Sequence, residues 1–344
     1  MLNKKEIEKI KEHLEKAQNP LFFFDNDVDG LCSFIILQRA IGRGKGVAIK
    51  SFPELIESYS RKIDELNPDY IFILDKPRVS EDFLKKVIEK NLPIIWIDHH
   101  IIEEEFKPSK EIMGSIEYFN SSPSGEPTTY IAQRVFNRKE DYWLAILGCI
   151  GDNFLPDFAK EFAEENPEYF HMYKTAFDCL YKTELGKISM MINFGLKDTT
   201  TNVLNLIRLL SSAKNPTDIL DENAKTKQLH DRYNSLLSYT ETILKKTKKG
   251  EKLVLLEYSG HTSMSSELSN KLIFENKDKT VLVIFKKPDV ANISIRGKGA
   301  KTILLKSIKD LPGAIGGGHE EASGGRIPIE ELEQFKQNVF KLTN

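Results

Sequence analysis

Cysteine is scarce in this chain. Three residues in 344, Cys32, Cys149 and Cys179, are too few and too scattered for a disulfide framework or a zinc knuckle. They read instead as small buried apolar side chains in a reducing compartment. A surplus of one charge sign is also missing. The formal net charge is −2, so no global basic surface recruits nucleic acid, and any such contact has to come from a local basic surface or a metal site. No apolar run approaches the length of a membrane span. Met1 to Gln18 is charged and helix-patterned, without the apolar core of a signal segment. Neither an internal repeat nor a low-complexity tract is present. What remains is a cytoplasmic protein with 40% hydrophobic residues, enough to bury a full core in one large or two ordinary domains.

The most informative stretch is Phe22-Phe23-Phe24-Asp25-Asn26-Asp27-Val28-Asp29-Gly30. Three aromatics read as a buried strand, and three carboxylates then alternate over five positions. Alternate side chains along an extended backbone point the same way. Held that close, carboxylates repel one another unless a cation sits between them. Oxygen-rich clusters of this kind suit hard ions such as Mg²⁺ or Mn²⁺. A Ca²⁺ loop of the EF-hand type needs flanking helices and a downstream glutamate, whereas here a strand leads in. An ordinary Asp-rich turn is the plainer alternative.

Apolar runs and helical periods then alternate. Val47 to Phe52 reads as a strand and Glu54 to Leu66 as a helix. Tyr70 to Leu74 is a continuous apolar run ending in Asp75, Ser80 to Lys90 is helical, and Pro93 to Ile97 is a second run ending in Asp98-His99-His100. Runs without polar alternation are strands buried on both faces, and their alternation with helices predicts a parallel α/β sheet. Three strands thus end in acids or histidines at the edge where open α/β sheets bind ligands. Turn preference alone explains one such ending, not three. Ser115 to Asn120 reads as a further strand, and Trp143 to Gly148 as a helix leading to Gly151-Asp152-Asn153. His13, His171, His230 and His261 lack acidic strand-end neighbours and read as core or surface residues.

From Pro156 the pattern is mostly helical, through a long helix over Glu222 to Lys246. The lysines at 245–249 read as a solvated helix end, with a phosphate-backbone contact as the alternative. After Gly250 a smaller α/β domain is expected. It has strands over Lys252 to Tyr258, Thr280 to Phe285 and Ala291 to Arg296. A glycine-rich turn follows at Gly316-Gly317-Gly318-His319, and a final helix over Ile329 to Leu342. The domains are placed at 1–197, 198–249 as a helical connector, and 250–344.

Taken in order, Asp25/Asp27/Asp29, Asp75, Asp98-His99-His100 and Gly151-Asp152-Asn153 resemble the four motifs of the DHH phosphoesterase superfamily. The Ser294-Ile295-Arg296 strand with the Gly316–His319 turn resembles that superfamily's C-terminal DHHA1 module. The Asp-x-Asp-x-Asp-Gly version of the first motif is similar to RecJ-like exonucleases, including compact archaeal ones. The resemblance spans nearly the whole chain. It implies an N-terminal parallel-sheet domain, a helical connector and a smaller α/β domain, with the active cleft between the two domains.

The resemblance also implies two divalent ions, Mn²⁺ preferred over Mg²⁺ because imidazole is a softer ligand than carboxylate. Asp25 and Asp27 would serve one ion, and Asp29, His99 and Asp152 the other, with Asp75 bridging. Asp98 would orient the imidazole, and His100 would face the substrate as phosphate ligand or proton donor. Arg296 would grip a phosphate, Gly316, Gly317 and Gly318 would admit one to backbone N–H groups, and His319 would reach the strand. The residues depart from the commoner pattern at Asn26, Lys76-Pro77, Gly297-Lys298 and Glu320-Glu321.

The implied activity is Mn²⁺-dependent hydrolysis of single-stranded DNA or RNA from one end, in DNA repair or a related process. A helicase or replisome protein would be a partner, and an oligomer is compatible. Two alternatives stay open: a small-substrate phosphodiesterase for nano-RNA or cyclic dinucleotides, and a replication or repair scaffold of the same fold. A pyrophosphatase fits less well, since those relatives begin the first motif with histidine and lack the Gly-Gly-Gly-His turn.

Overall fold

The computed structural model describes every residue except Phe52, Pro53, Glu103 and Asn344. The chain divides into two compact units, Met1–Tyr233 and Asn234–Asn344. In the first unit the strands are β1 (Pro20–Asp25), β2 (Lys45–Ile49), β3 (Glu54–Leu55), β4 (Tyr70–Leu74), β5 (Arg78–Val79), β6 (Ile94–Asp98) and β7 (Glu117–Asn120). Its first helices are α1 (Lys4–Lys16), α2 (Val28–Ile41), α3 (Arg61–Leu66), α4 (Glu81–Ile88), α5 (Lys110–Gly114), α6 (Thr128–Phe136) and α7 (Tyr142–Gly151). Helices α8 (Ala159–Glu165), α9 (Ala176–Lys182), α10 (Glu184–Leu196), α11 (Thr200–Ser212), α12 (Thr217–Leu220) and α13 (Lys227–Leu244) follow. The division between the units falls inside α13.

Five strands form a wholly parallel sheet in the order β2-β1-β4-β6-β7. The apolar runs exist because both faces are covered. Successive side chains of β1 go to opposite faces. Phe23 meets the Phe83 ring of α4 edge-on at 5.2 Å, while Phe22 and Phe24 meet the Phe34 ring of α2 at 5.3 and 5.1 Å. Phe22, Phe23, Phe24, Phe72 and Trp96 are all fully buried. A parallel sheet covered on both sides needs this density of large apolar side chains.

The structure corrects several expected boundaries. The helix expected over Glu54 to Leu66 is the short strand β3, a 3-10 turn at Glu57–Ser60 and then α3. Leu55 is buried and pairs with Val79, so a local sheet contact overrides the helical pattern there. The strand expected over Val47 to Phe52 is β2, which ends at Ile49, and Phe52 lies outside the described residues.

The second unit contains β8 (Lys248–Lys249), β9 (Leu253–Ser259), β10 (Thr280–Lys286), β11 (Val290–Arg296), β12 (Ile315–His319) and β13 (Ala322–Pro328). With these go α14 (Ser265–Glu275), α15 (Ala300–Ile308) and α16 (Leu332–Thr343). Its sheet is mixed, in the order β12-β13-β11-β10-β9-β8. The last two lysines of the run at 245–249 are therefore an edge strand paired with β9, not part of a helix end. The Gly316–His319 segment is also an edge strand rather than a turn. It pairs with β13 from Ile315↔Arg326 to His319↔Ala322, and the reversal falls on Glu320-Glu321. Glycine is usually weak in strands. Here Gly318 sits at φ +130°, and a Cβ on it would lie 2.7 Å from the Ala322 carbonyl oxygen. Among the described residues, no helix is long and apolar enough to cross a membrane.

Candidate metal centre

The carboxyl ends of β1, β4 and β6 are adjacent in the sheet, and their last residues meet there. Asp25 closes β1. Asp27 caps α2, its Oδ1 accepting from Gly30 N at 2.9 Å, and Asp29 lies in the first turn of that helix. Gly30 is demanded by contact, since a Cβ there would come within 2.5 Å of the Asp25 carbonyl oxygen. This lets α2 start directly behind the strand end. Asp75 follows β4 at φ +57°, a conformation Asp tolerates better than most residues. Its N–H still donates to Ile97 O at 2.9 Å, which holds it beside the end of β6. Asp152 follows the last turn of α7.

His99 is where these elements converge. Its Nε2 lies 3.2 Å from Asp75 Oδ1, 3.5 Å from Asp152 Oδ2 and 3.9 Å from Asp29 Oδ2. Among the described residues, metal-ligating atoms within mutual reach form two groups: Asp75, His99 and His100, and Asp29, His99 and Asp152. Four expected ligands on four different elements are thus brought together. Mixed carboxylate and imidazole donors at the buried end of a sheet fit a small divalent ion.

The electrostatics agree. Desolvation by the surrounding protein, then repulsion from Asp25 and Asp29, pushes the Asp27 carboxyl up to about 7, although its side chain still reaches solvent at the rim of the site. Burial, then Asp29, Asp27 and Asp25, raises Asp75 well above the carboxylate range. Asp152 is pushed up to about 6 by burial and Asp29, against the opposing pull of His99. Carboxylates packed so that they resist ionising are a site built for a cation.

Asp98 is fully buried, and the imidazole it holds belongs to His100: His100 Nδ1 donates to Asp98 Oδ1 at 2.8 Å. Burial works against protonation of this ring, but the Asp98 hydrogen bond and charge outweigh it and raise His100 to about 9. The ring is partly exposed, whereas that of His99 is nearly enclosed.

Sequence reasoning missed four contributors. Asn120, at the end of β7, donates to Asp98 Oδ2 at 3.3 Å and to the His100 carbonyl at 2.9 Å. Thr128 and Thr129, at the start of α6, donate backbone N–H groups to Asp29 at 2.8 and 2.7 Å. Lys76, seen only as a departure from a pattern, is fully buried with its Nζ 2.8 Å from Asp25 Oδ1. The end of β7 on the same sheet edge was the one available signal, and it pointed to Asn120.

The residues expected to hold substrate lie in the second unit. Arg296 closes β11, and its Nε donates to Asn270 Oδ1 at 2.8 Å. Its Nη1 donates to the Ile295 and Ser323 carbonyls at 3.0 and 3.4 Å, so the guanidinium also ties β11 to β13. Gly316, Gly317, Gly318 and His319 lie together on the edge strand β12, with His319 exposed.

The model of the DHH family N-terminal domain matches residues 21–150, and that of the DHHA1 domain matches residues 250–344. A comparison with curated proteins finds no match. Among solved structures, RecJ from Thermus thermophilus in complex with Mn²⁺ superposes with a TM-score of 0.69 at 16% identity. That match covers 99% of this chain and 55% of RecJ, so the chain spans about half the length of that relative. An exonuclease RecJ bound to manganese gives 0.64 at 17% identity, covering 98% and 94% of the two chains. A pGpG-specific phosphodiesterase from Vibrio cholerae gives 0.54 at 13% identity, covering 95% and 99%. With both family domains in order, and a parallel-sheet unit and a mixed-sheet unit of the matching fold, the chain belongs to the DHH superfamily.

Proposed function

We propose that this protein is a divalent-metal-dependent phosphodiesterase that hydrolyses single-stranded DNA or RNA from one end. The observation that carries the reading is the convergence of Asp29, Asp75 and Asp152 on His99 at the carboxyl edge of the sheet. These four would hold metal, and the mixed Asp/His donors favour Mn²⁺. A bound divalent ion supplies positive charge to phosphoryl oxygens and acidifies water. His100, held by Asp98 and raised to about 9, carries a proton at neutral pH and donates it from Nε2 to the leaving oxygen. Residues 250–344 act as the strand-binding domain, through Arg296, His319 and the β12 glycines. The two RecJ structures support a polynucleotide substrate, and the likeness to a pGpG-specific phosphodiesterase supports a dinucleotide.

The test is degradation of single strands labelled at either end, beside a labelled dinucleotide, in Mn²⁺, Mg²⁺ and Ca²⁺. Stepwise shortening from one end, faster in Mn²⁺ than in Mg²⁺ and lost in Asp75→Asn, is expected. Turnover of the dinucleotide alone would move the protein to the small-substrate class. No phosphodiester hydrolysis with any of the three ions would remove the enzymatic reading and leave a scaffold.

A further inference from the structure

Asp25 is placed where a metal ligand is expected, yet its carboxylate already has a cation. Lys76 Nζ lies 2.8 Å from Asp25 Oδ1 and donates to Ser51 O at 2.8 Å. The lysine side chain is wholly enclosed, while Asp25 keeps 16% exposure. Trp96, itself fully buried, donates its indole N–H to the Lys76 carbonyl at 3.0 Å and fixes the backbone that delivers the side chain. A lysine drawn out of water in this way is tolerated only when its charge is matched, and Asp25 matches it. The metal-ligating groups tell the same story: neither contains Asp25 or Asp27.

We propose that Lys76 is a built-in cation that takes the place of one of the two ions expected here. The protein then binds a single divalent ion, on Asp29, Asp75, His99 and Asp152, while Asp25 is withheld from metal by its lysine. The proposal rests on the metal centre assigned under Proposed function and sets its stoichiometry. The ammonium contributes fixed positive charge on the Asp25 side of the site. It has no vacant position for a ligand, so polarisation of water falls to the one ion. A metal drawing Asp25 away would separate the enclosed ammonium from that carboxylate, which opposes occupancy of a second position.

The experiment is Mn²⁺ binding to the full chain, read as ions per chain at saturation and as affinity, without turnover. Wild type binds one ion, and Lys76→Met, which keeps the length and removes the charge, binds two. Two ions on wild type, or one on a folded Lys76→Met, overturns the proposal. If Lys76→Met does not fold, Asp25→Asn with Lys76→Met removes both charges together and decides instead. That variant keeps wild-type affinity for its single ion, because Asp25 is not a ligand. A loss of about 10- to 100-fold, the usual effect of disturbing the groups that support a metal's ligands, would tie Asp25 to the bound ion and overturn the proposal. A wild-type chain that binds no Mn²⁺ at all removes the metal centre itself, an outcome distinct from binding two.

Discussion

Asp29 and Thr129 lie 100 positions apart in sequence and bond to each other twice. Asp29 Oδ1 accepts from Thr129 N at 2.7 Å, and Thr129 Oγ1 donates to the Asp29 carbonyl at 2.8 Å. The other carboxylate oxygen accepts from Thr128 N at 2.8 Å. One aspartate thus caps α6, pins it to α2 and turns an oxygen toward His99 at 3.9 Å. Asp29→Ala is expected to destabilise the metal-free protein by about 2 kcal/mol, the combined scale of a lost cap and stranded buried donors. Asp75→Asn, whose residue type also tolerates φ +57°, should leave stability within about 1 kcal/mol. Urea unfolding in chelator compares the two, and equal stability of Asp29→Ala and wild type would show that the cap contributes nothing.

The raised carboxylates give metal-free stability a direction with pH. A carboxyl whose pKa is higher in the folded state than in the unfolded chain stabilises the fold below its ordinary value. It loses that contribution as pH rises through the folded value. Asp27 and Asp152 shift from 3.8 to about 7 and about 6, and Asp75 shifts in the same sense. Melting temperature in chelator should therefore fall as pH rises from about 4 to about 7. Both Asp27 and Asp152 reach solvent at the edge of the site, so screening reduces the size of the fall but not its sign. Saturating Mn²⁺ should flatten it by favouring the ionised forms. A melting temperature that climbs through this window without metal would contradict the electrostatic picture.

Asp98 acts on His100 rather than on His99. Asp98→Asn removes the carboxylate that holds the imidazole near 9, so the alkaline limb of the pH–rate profile should move to lower pH. Turnover at neutral pH should drop by roughly 100-fold, the low end of general acid–base contributions. A profile unmoved in Asp98→Asn would take proton donation away from His100.

Glycines on β12 separate architecture from binding. Gly318 at φ +130° faces the Ala322 carbonyl oxygen, and Gly318→Ala should cost about 1–3 kcal/mol of stability in the second unit. A Cβ on Gly317 meets nothing within 4 Å, so Gly317→Ala should stay within about 0.5 kcal/mol of wild type. If phosphate approaches the backbone there, Gly317→Ala nevertheless weakens single-strand binding. Thermal unfolding and strand-binding titrations of the two variants read these effects separately. Unchanged binding in Gly317→Ala would leave the glycines a purely structural role.

The sequence alone determined the parallel sheet and the edge that bears the chemistry. Phe22 to Phe24, Tyr70 to Leu74 and Pro93 to Ile97 have no polar alternation, and only strands covered on both faces tolerate that. Because each run stops in Asp25, Asp75 or Asp98-His99-His100, the polar cluster had to form where those strands end. Local pattern misled where a long-range partner decides the backbone. The Leu55 to Val79 pairing made β3 from a helical pattern, and the Ala322 to Pro328 strand made the Gly316–His319 glycines a strand edge. Sequence also places charges without pairing them. Asp25, Asp27 and Asp29 look equivalent in the chain, yet Asp29 caps α6, Asp27 caps its own helix, and Asp25 meets Lys76 from the segment that follows β4. Those assignments depend on which buried donors and cations reach each oxygen, and only the tertiary packing of β1, β4, α2 and α6 brings them there.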